Sequence, residues 1–225
     1  HAGTLDPMAT GVLPVFVGRA TRGVEFFEHA EKTYETVLRL GLTTDTEDIT
    51  GTVLTEMPVS VTDEQVEAAL AAFRGQIMQI PPMYSALKVN GQKLCDLARK
   101  GKTVERQPRP ITIHELTLLE RTENTLRLRV RCSKGTYIRT LCKDIGEQLG
   151  CGGCMESLRR VSAGEYTIDE AVPLQELLDT DQPEKYLRDV DTMFRNYPAV
   201  TLTANQEKRC RNGNPFSVKL AEGSY

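Results

Sequence analysis

No apolar run in this sequence approaches the roughly 18 residues of a membrane-spanning helix, and no basic-then-apolar leader stands before His1. A cytoplasmic, soluble chain without membrane association is therefore expected. The cysteines, at 95, 132, 142, 151, 154 and 210, are too sparse in 225 residues for a disulfide scaffold, so they read as reduced thiols. Cys151-Gly-Gly-Cys154 lacks the second pair or the histidine that a zinc site would need and reads as loop filling. There is no Walker loop, dinucleotide fingerprint or convincing metal-ligand cluster, which agrees with a chemistry that needs no cofactor and no metal. Repeats and low-complexity tracts are also missing. A net charge of −3 excludes a uniformly basic nucleic-acid coat.

What is present is a chain that is 40% hydrophobic and 26% charged, enough for one sizeable core and a small appendage. Its charge is sorted. Arg99, Lys100, Lys102, Arg106 and Arg109 stand against Glu105 alone, and Arg127, Arg129, Arg131, Lys134, Arg139 and Lys143 follow with no acid among them. Such runs either track phosphates or form solvated faces. Acids gather at Asp45 to Asp48 and from Asp169 to Asp191.

Several elements are written in the residue pattern. Gly3 to Gly11 reads as a tightly shaped loop in which Pro7 holds Asp6 extended; from residue types alone Asp6 is a turn former or a displayed acid. Val12 to Val17 is apolar and β-branched, which predicts a core strand with Pro14 marking an edge or bulge. Ala20, Val24 and Phe27 predict a short amphipathic helix capped by Thr21. Lys32 to Gly41 alternates as a strand with Tyr34, Thr36, Leu38 and Leu40 inward, where Tyr34 reads as a core residue with its hydroxyl at the rim. The acid-rich loop from 42 to 51 reads as structural, because its spacing fits no EF-hand. Thr62 and Gln65 form a capping box before a helix that ends at Gly75. Asn90-Gly91 predicts a hairpin followed by a helix to Arg99. Leu126 to Cys132 alternates apolar residues with arginines and predicts a strand that turns, through Tyr137 and Arg139, into a helix ending at Gly150. After Pro173 the chain turns acidic and helical.

His1-Ala-Gly-Thr-Leu-Asp-Pro-Met-Ala-Thr-Gly-Val-Leu-Pro14 closely resembles the signature loop of the TruB-type tRNA pseudouridine synthases. The Lys-x-Tyr at 32 to 34, Gln79-Ile-Pro-Pro-Met-Tyr-Ser-Ala-Leu-Lys88, Gly135-Thr-Tyr-Ile-Arg139 and Leu158-Arg-Arg160 match further family motifs. The resemblance implies a pseudouridine synthase catalytic fold, α/β (α+β), with a mixed, mainly antiparallel sheet and flanking helices. Residues 1–195 would form that catalytic domain, without the strand with which family members begin. Residues 196–225 would open a small C-terminal PUA-like RNA-binding domain.

By the same resemblance Asp6 is the catalytic carboxylate, Arg139 its partner and Tyr34 the stacking surface for the target base. His1 would fill the space that a flipped base vacates, and Tyr137 and Leu158 would line the base pocket. Residues 82 to 109 would be the RNA-gripping insertion, with Lys88, Arg99, Lys100, Lys102 and Arg106 as contacts, and Arg159 and Arg160 would meet phosphates. The implied activity is isomerisation of uridine 55 in the T-loop, by a monomer acting on the T-arm stem-loop of tRNA without a protein partner. The alternatives are the catalytic subunit of a guide-RNA-directed pseudouridylation complex, and a tRNA-binding or folding factor.

Overall fold

The computed structural model describes residues 1–218. The chain forms two compact units, His1–Glu176 and the residues from Leu177 on. Of residues 196–225, the expected start of an RNA-binding domain, 219–225 lie outside the described residues.

In chain order the elements of the first unit begin with β1 (Thr10–Gly11), α1 (Val24–Phe27), β2 (Lys32–Leu40), β3 (Leu42–Thr44), β4 (Val53–Glu56) and α2 (Asp63–Ala72). They continue with β5 (Gly75–Gln79), β6 (Lys88–Val89), β7 (Gln92–Lys93), α3 (Leu94–Ala98), β8 (Arg109–Arg121), β9 (Thr125–Cys132), α4 (Ile138–Gln148), β10 (Gly153–Ala163) and β11 (Tyr166–Thr167). The division between the units falls within α5 (Leu174–Asp179), and the second unit carries α6 (Ala204–Arg211), which Thr203 and Gln206 start with a capping box.

A seven-stranded sheet runs β1-β10-β2-β9-β8-β5, with β11 added beside β10. Only β1 and β10 are parallel; the other pairs are antiparallel, as expected for a mixed, mainly antiparallel sheet. The alternation of β2 and β9 sends Leu38, Leu40, Leu126, Leu128 and Val130 to one face. There they meet Val66 and Leu70 of α2 and Ile138, Leu141, Cys142 and Ile145 of α4 in one core. The Thr62 capping box forms as read, satisfying amides that would otherwise be orphaned at the start of α2.

The opposite face of β9 is neutralised locally. Arg127 and Arg129 both donate to the Glu35 carboxylate, at 2.8 and 2.7 Å, and Arg131 donates to Glu31 at 2.7 Å. These arginines come from the basic run at 127 to 143, and cross-strand acids take up the charge that the run alone would offer to phosphates.

Two expectations are corrected. The segment from Val12 to Val17 is not a strand: β1 ends at Gly11, and Leu13, Val15 and Val17 are exposed. Past that two-residue strand the Val12 amide still bonds the Arg160 carbonyl of β10 and the Pro14 carbonyl accepts from the Ala2 amide, but Pro14 has no N–H with which to continue the ladder. Residues 18 to 27 do not form one helix either, but a 3₁₀ segment, Gly18–Gly23, followed by the single turn α1. Thr21 does not cap it; its hydroxyl donates back to the Gly18 carbonyl at 2.8 Å.

Candidate active site

Asp6 projects from the loop that precedes β1, and Arg139 from the first turn of α4. Their side chains meet in a two-point pair, Arg139 Nε donating to Asp6 Oδ2 at 2.8 Å and Nη2 to Oδ1 at 3.0 Å. Arg139 is 5% exposed, and two more of its N–H groups meet main-chain carbonyls: Nη2 also reaches the Tyr84 carbonyl at 2.8 Å and Nη1 the Thr46 carbonyl at 3.0 Å. A planar fork held at four acceptors has one orientation, which fixes the carboxylate in turn.

The acid-rich loop between β3 and β4, read from sequence as structural, helps build this site. Asp48 is buried with Oδ2 3.9 Å from Arg139 Nε, while its Oδ1 accepts from the Thr46 hydroxyl and from the amide and hydroxyl of Thr50. The Thr140 hydroxyl of α4 donates to Glu47 at 2.6 Å, which ties the helix to the same loop. Gln79, buried at the end of β5, accepts from the Tyr137 amide at 2.9 Å and donates to the Tyr137 carbonyl at 3.1 Å, clamping the turn that delivers Arg139. Sequence reasoning missed Asp48, Gln79 and the Tyr84 carbonyl. The signals were the place of Gln79 and Tyr84 within a motif-like stretch and that of Asp48 in the loop from 42 to 51, which also resembles a family motif.

Tyr34 lies on β2 and packs with Met8 and Ala9 of the Asp6 loop against the core that holds Leu158. Burial pushes the Tyr34 phenol above its ordinary value, with the Arg160 guanidinium close enough to oppose the push. Tyr137 is half-buried, and burial likewise raises its phenol. The Asp6 carboxylate adds to the rise in both phenols, so both tyrosines stand within electrostatic reach of the oriented acid. His1 is exposed at the start of the loop.

The remaining residues expected at the site divide. Lys88, Arg99, Lys100, Lys102 and Arg159 are exposed. Arg99 stands 3.6 Å from Asp96. Arg106 is partly buried, its Nη1 donating to the Pro81 carbonyl at 3.1 Å, so it braces the segment from 82 to 109 as well as adding charge. The expectation for Arg160 is corrected: it is 1% exposed and donates to main-chain carbonyls at Val12 and Gly3, so it does not meet a phosphate. The period of β10 explains this, because Leu158 and Arg160 share the inward face while Arg159 points out.

The Asp6 loop also approaches β10 at van der Waals limits. Gly11 has φ +107°, and a Cβ there would lie 2.1 Å from the Arg160 carbonyl oxygen, so only glycine lets β1 pair at this point.

Residues 1–138 match the model of the TruB family pseudouridylate synthase N-terminal domain, and residues 139–193 that of the tRNA pseudouridylate synthase B C-terminal domain. The chain is 50% identical over 228 residues to the tRNA pseudouridine synthase B of Ralstonia pickettii, covering 98% of this chain and 71% of that protein. It is 48% identical to the tRNA pseudouridine synthase B of Pseudomonas fluorescens, covering 96% and 72%. Among solved structures it is similar to a Cbf5-Nop10-Gar1 complex, with TM-score 0.66, 27% identity, and 86% of this chain and 52% of that chain covered. It is also similar to an H/ACA RNP bound to a substrate RNA containing 2'-deoxyuridine, with TM-score 0.59, 25% identity, and 84% and 47% covered. The chain therefore spans about seven-tenths of these curated relatives and about half of the matched structures. A Gly-Thr-Leu-Asp-Pro loop pinned by a Gly-Thr-Tyr-Ile-Arg turn, across a mixed sheet matched along nearly its whole length, identifies the chain as a member of the TruB family of pseudouridylate synthases.

Proposed function

We propose that the chain isomerises uridine 55 in the T-arm stem-loop of tRNA to pseudouridine, with Asp6 as the carboxylate that attacks or deprotonates the nucleoside. The observation that carries this reading is the two-point Arg139–Asp6 pair. The reaction exchanges a carbon–nitrogen glycosidic bond for a carbon–carbon one, with no change of oxidation state. Its demands are a positioned carboxylate and a pocket that holds the detached uracil while it turns. The target base must leave its stack to reach Asp6; Tyr34 offers a replacement surface, Leu158 and Tyr137 a wall, and His1 fills the vacated space in the loop.

Residues 82 to 109 grip the RNA through Lys88, Arg99, Lys100, Lys102 and Arg106, with Arg159 as a further phosphate contact. Tyr84 lies in this segment and hands its carbonyl to Arg139, so the grip and the site share a residue. Residues 1–195 act as the catalytic domain and 196–225 as the opening of a PUA-like RNA-binding domain. The protein works as a cytoplasmic monomer on free tRNA. Among the described residues no helix is long and apolar enough to cross a membrane. Identity of 48 to 50% to tRNA enzymes, against 25 to 27% to chains of guide-RNA particles, favours tRNA over a guided substrate.

The test is to incubate the chain alone with a T-arm stem-loop and measure pseudouridine by mass spectrometry. Product is expected from the parent, and none from Asp6→Asn, which keeps shape and RNA affinity but cannot act as nucleophile or base. Turnover only after adding partner proteins and a guide RNA would favour the particle reading. Residual Asp6→Asn activity within about tenfold of the parent would remove Asp6 from the chemistry.

A further inference from the structure

Arg160 occupies a place that the chemistry above leaves unused. It lies on β10 directly opposite Tyr34 of β2, and it holds the loop that carries Asp6 at three points. Its main-chain carbonyl accepts the Val12 amide at 2.9 Å, its Nε donates to the Val12 carbonyl at 2.6 Å, and its Nη2 donates to the Gly3 carbonyl at 2.9 Å. Gly3 and Val12 bound the stretch in which Asp6 sits, so one side chain closes the neck of that loop. Within the stretch, the Ala9 amide returns to the Asp6 carbonyl at 2.9 Å.

A guanidinium suits this task because its coplanar donors can serve two carbonyls from one rigid group, which an ammonium on a flexible stem cannot do. Lys32, also buried, donates to the Ala30 carbonyl beside it. Burying a cation against neutral carbonyls is expensive, and no carboxylate among the described residues forms an ion pair with it. That expense is hard to assign to a simple loop tie, which a neutral amide could make, and easier to assign to a need for fixed geometry.

We infer that Arg160 is a positioning residue for the reaction: by clasping both ends of the Asp6 loop while standing across the strand pair from Tyr34, it holds the carboxylate and the aromatic face in one geometry. The inference rests on the roles proposed for Asp6 and Tyr34. It assigns no contact with substrate to Arg160 itself.

The test compares Arg160→Met, Arg160→Lys and Gly3→Ala. The last perturbs the clasp from the loop side, because a Cβ on Gly3 would lie 3.1 Å from Arg160 Nη1 at a backbone φ of +78°. Two readouts are taken: single-turnover pseudouridine formation at saturating T-arm RNA, and amide hydrogen exchange resolved along the chain. Arg160→Met is expected to lower the single-turnover rate by roughly 100-fold, the scale of an ångström misplacement of a reacting group. Arg160→Lys should recover part of that loss, with RNA affinity kept within about twofold in both. Exchange should quicken at Ala9 and Val12 while β2 and β9 amides keep their protection. Unaltered exchange over residues 2–12 in folded Arg160→Met would overturn the inference, as would a uniform loss of protection at an unchanged rate per folded molecule. Weaker binding with a flatter salt dependence would return Arg160 to the phosphate contacts. Should Arg160→Met fail to fold, Arg160→Lys and Gly3→Ala give the same readouts. Exchange needs no turnover, so an inactive parent would fail the proposed function and still leave the clasp measurable.

Discussion

Exchanging Arg139 for lysine separates charge from geometry. Lysine can stand near Asp6, but it cannot make two coplanar bonds to the carboxylate while reaching the Thr46 and Tyr84 carbonyls. Arg139→Lys is expected to fold and to lose on the order of 100-fold in kcat, through a carboxylate that is no longer aimed. Arg139→Met should lose more. It should also cost about 1 to 3 kcal/mol of stability, a buried-pair value discounted because the Asp6 side chain is 32% exposed. Single-turnover kinetics and urea titration separate the two effects; equal activity of Arg139→Lys and the parent would reduce Arg139 to a structural residue.

At the scale of elements, the segment from 82 to 109 and helix α4 make separate predictions. Lys100 and Lys102 are exposed, so replacing both by alanine should weaken T-arm binding and lower the slope of log affinity against log salt by roughly one contact per residue. An unchanged slope would mean that these charges face solvent in the complex. Arg106→Ala should behave differently, because it removes the brace on the Pro81 carbonyl and so loosens the segment as well as its charge. In α4, Asp144 is pushed up to about 6, by burial first, with Lys143 opposing and Glu147 and Glu47 adding. Its native value lies above the ordinary 3.8, so the native state binds more protons than the unfolded chain between about pH 4 and 6. The resulting penalty is absent below that window, grows through it and is full above it. Asp144→Asn should therefore stabilise the protein by on the order of 1 kcal/mol at pH 8 and by nothing at pH 4, as read by thermal melts at both.

The same elements explain what could be read in the residues beforehand. Local rules hold where a segment satisfies itself: the Thr62 capping box, the alternation of β2 and β9 and the Asn90-Gly91 hairpin all form as expected. They fail where a partner elsewhere in the chain decides. Val12 to Val17 has the composition of a strand, but its ladder with β10 ends at Gly11 and Pro14 cannot extend it. Arg160 belongs to an Arg-Arg pair that resembles a phosphate contact, yet the two-residue period counted from Leu158 turns it inward. The Asp6–Arg139 pair was legible through motif resemblance; Asp48 and Gln79 also lie in motif-like stretches, but their roles were not legible, because their worth lies in what they hold across the fold.

For the whole molecule, thiol chemistry offers a simple probe. Burial pushes Cys132 and Cys142 up to about 12 and Cys154 to about 11, and Cys151 is buried too. Cys210 on α6 is exposed and Cys95 is intermediate. A thiol reagent applied to the native protein should label Cys210 first, Cys95 more slowly, and the buried cysteines only as the first unit unfolds. Mass spectrometry of digests checks the order, and early labelling of Cys142 would contradict the core described above.

The distance along the chain between the site's halves bears on when the enzyme comes into being. Asp6 and Arg139 lie 133 residues apart, and Gly3 and Arg160 lie 157 apart. At roughly 5 to 20 residues per second, a ribosome delivers the arginine about 7 to 27 s after the acid. Through that interval Asp6 is an ordinary carboxylate on an unfinished chain, with nothing to aim it. Catalytic competence thus waits until β10 has emerged, and before that point the nascent chain has no means of modifying RNA beside the ribosome that is making it.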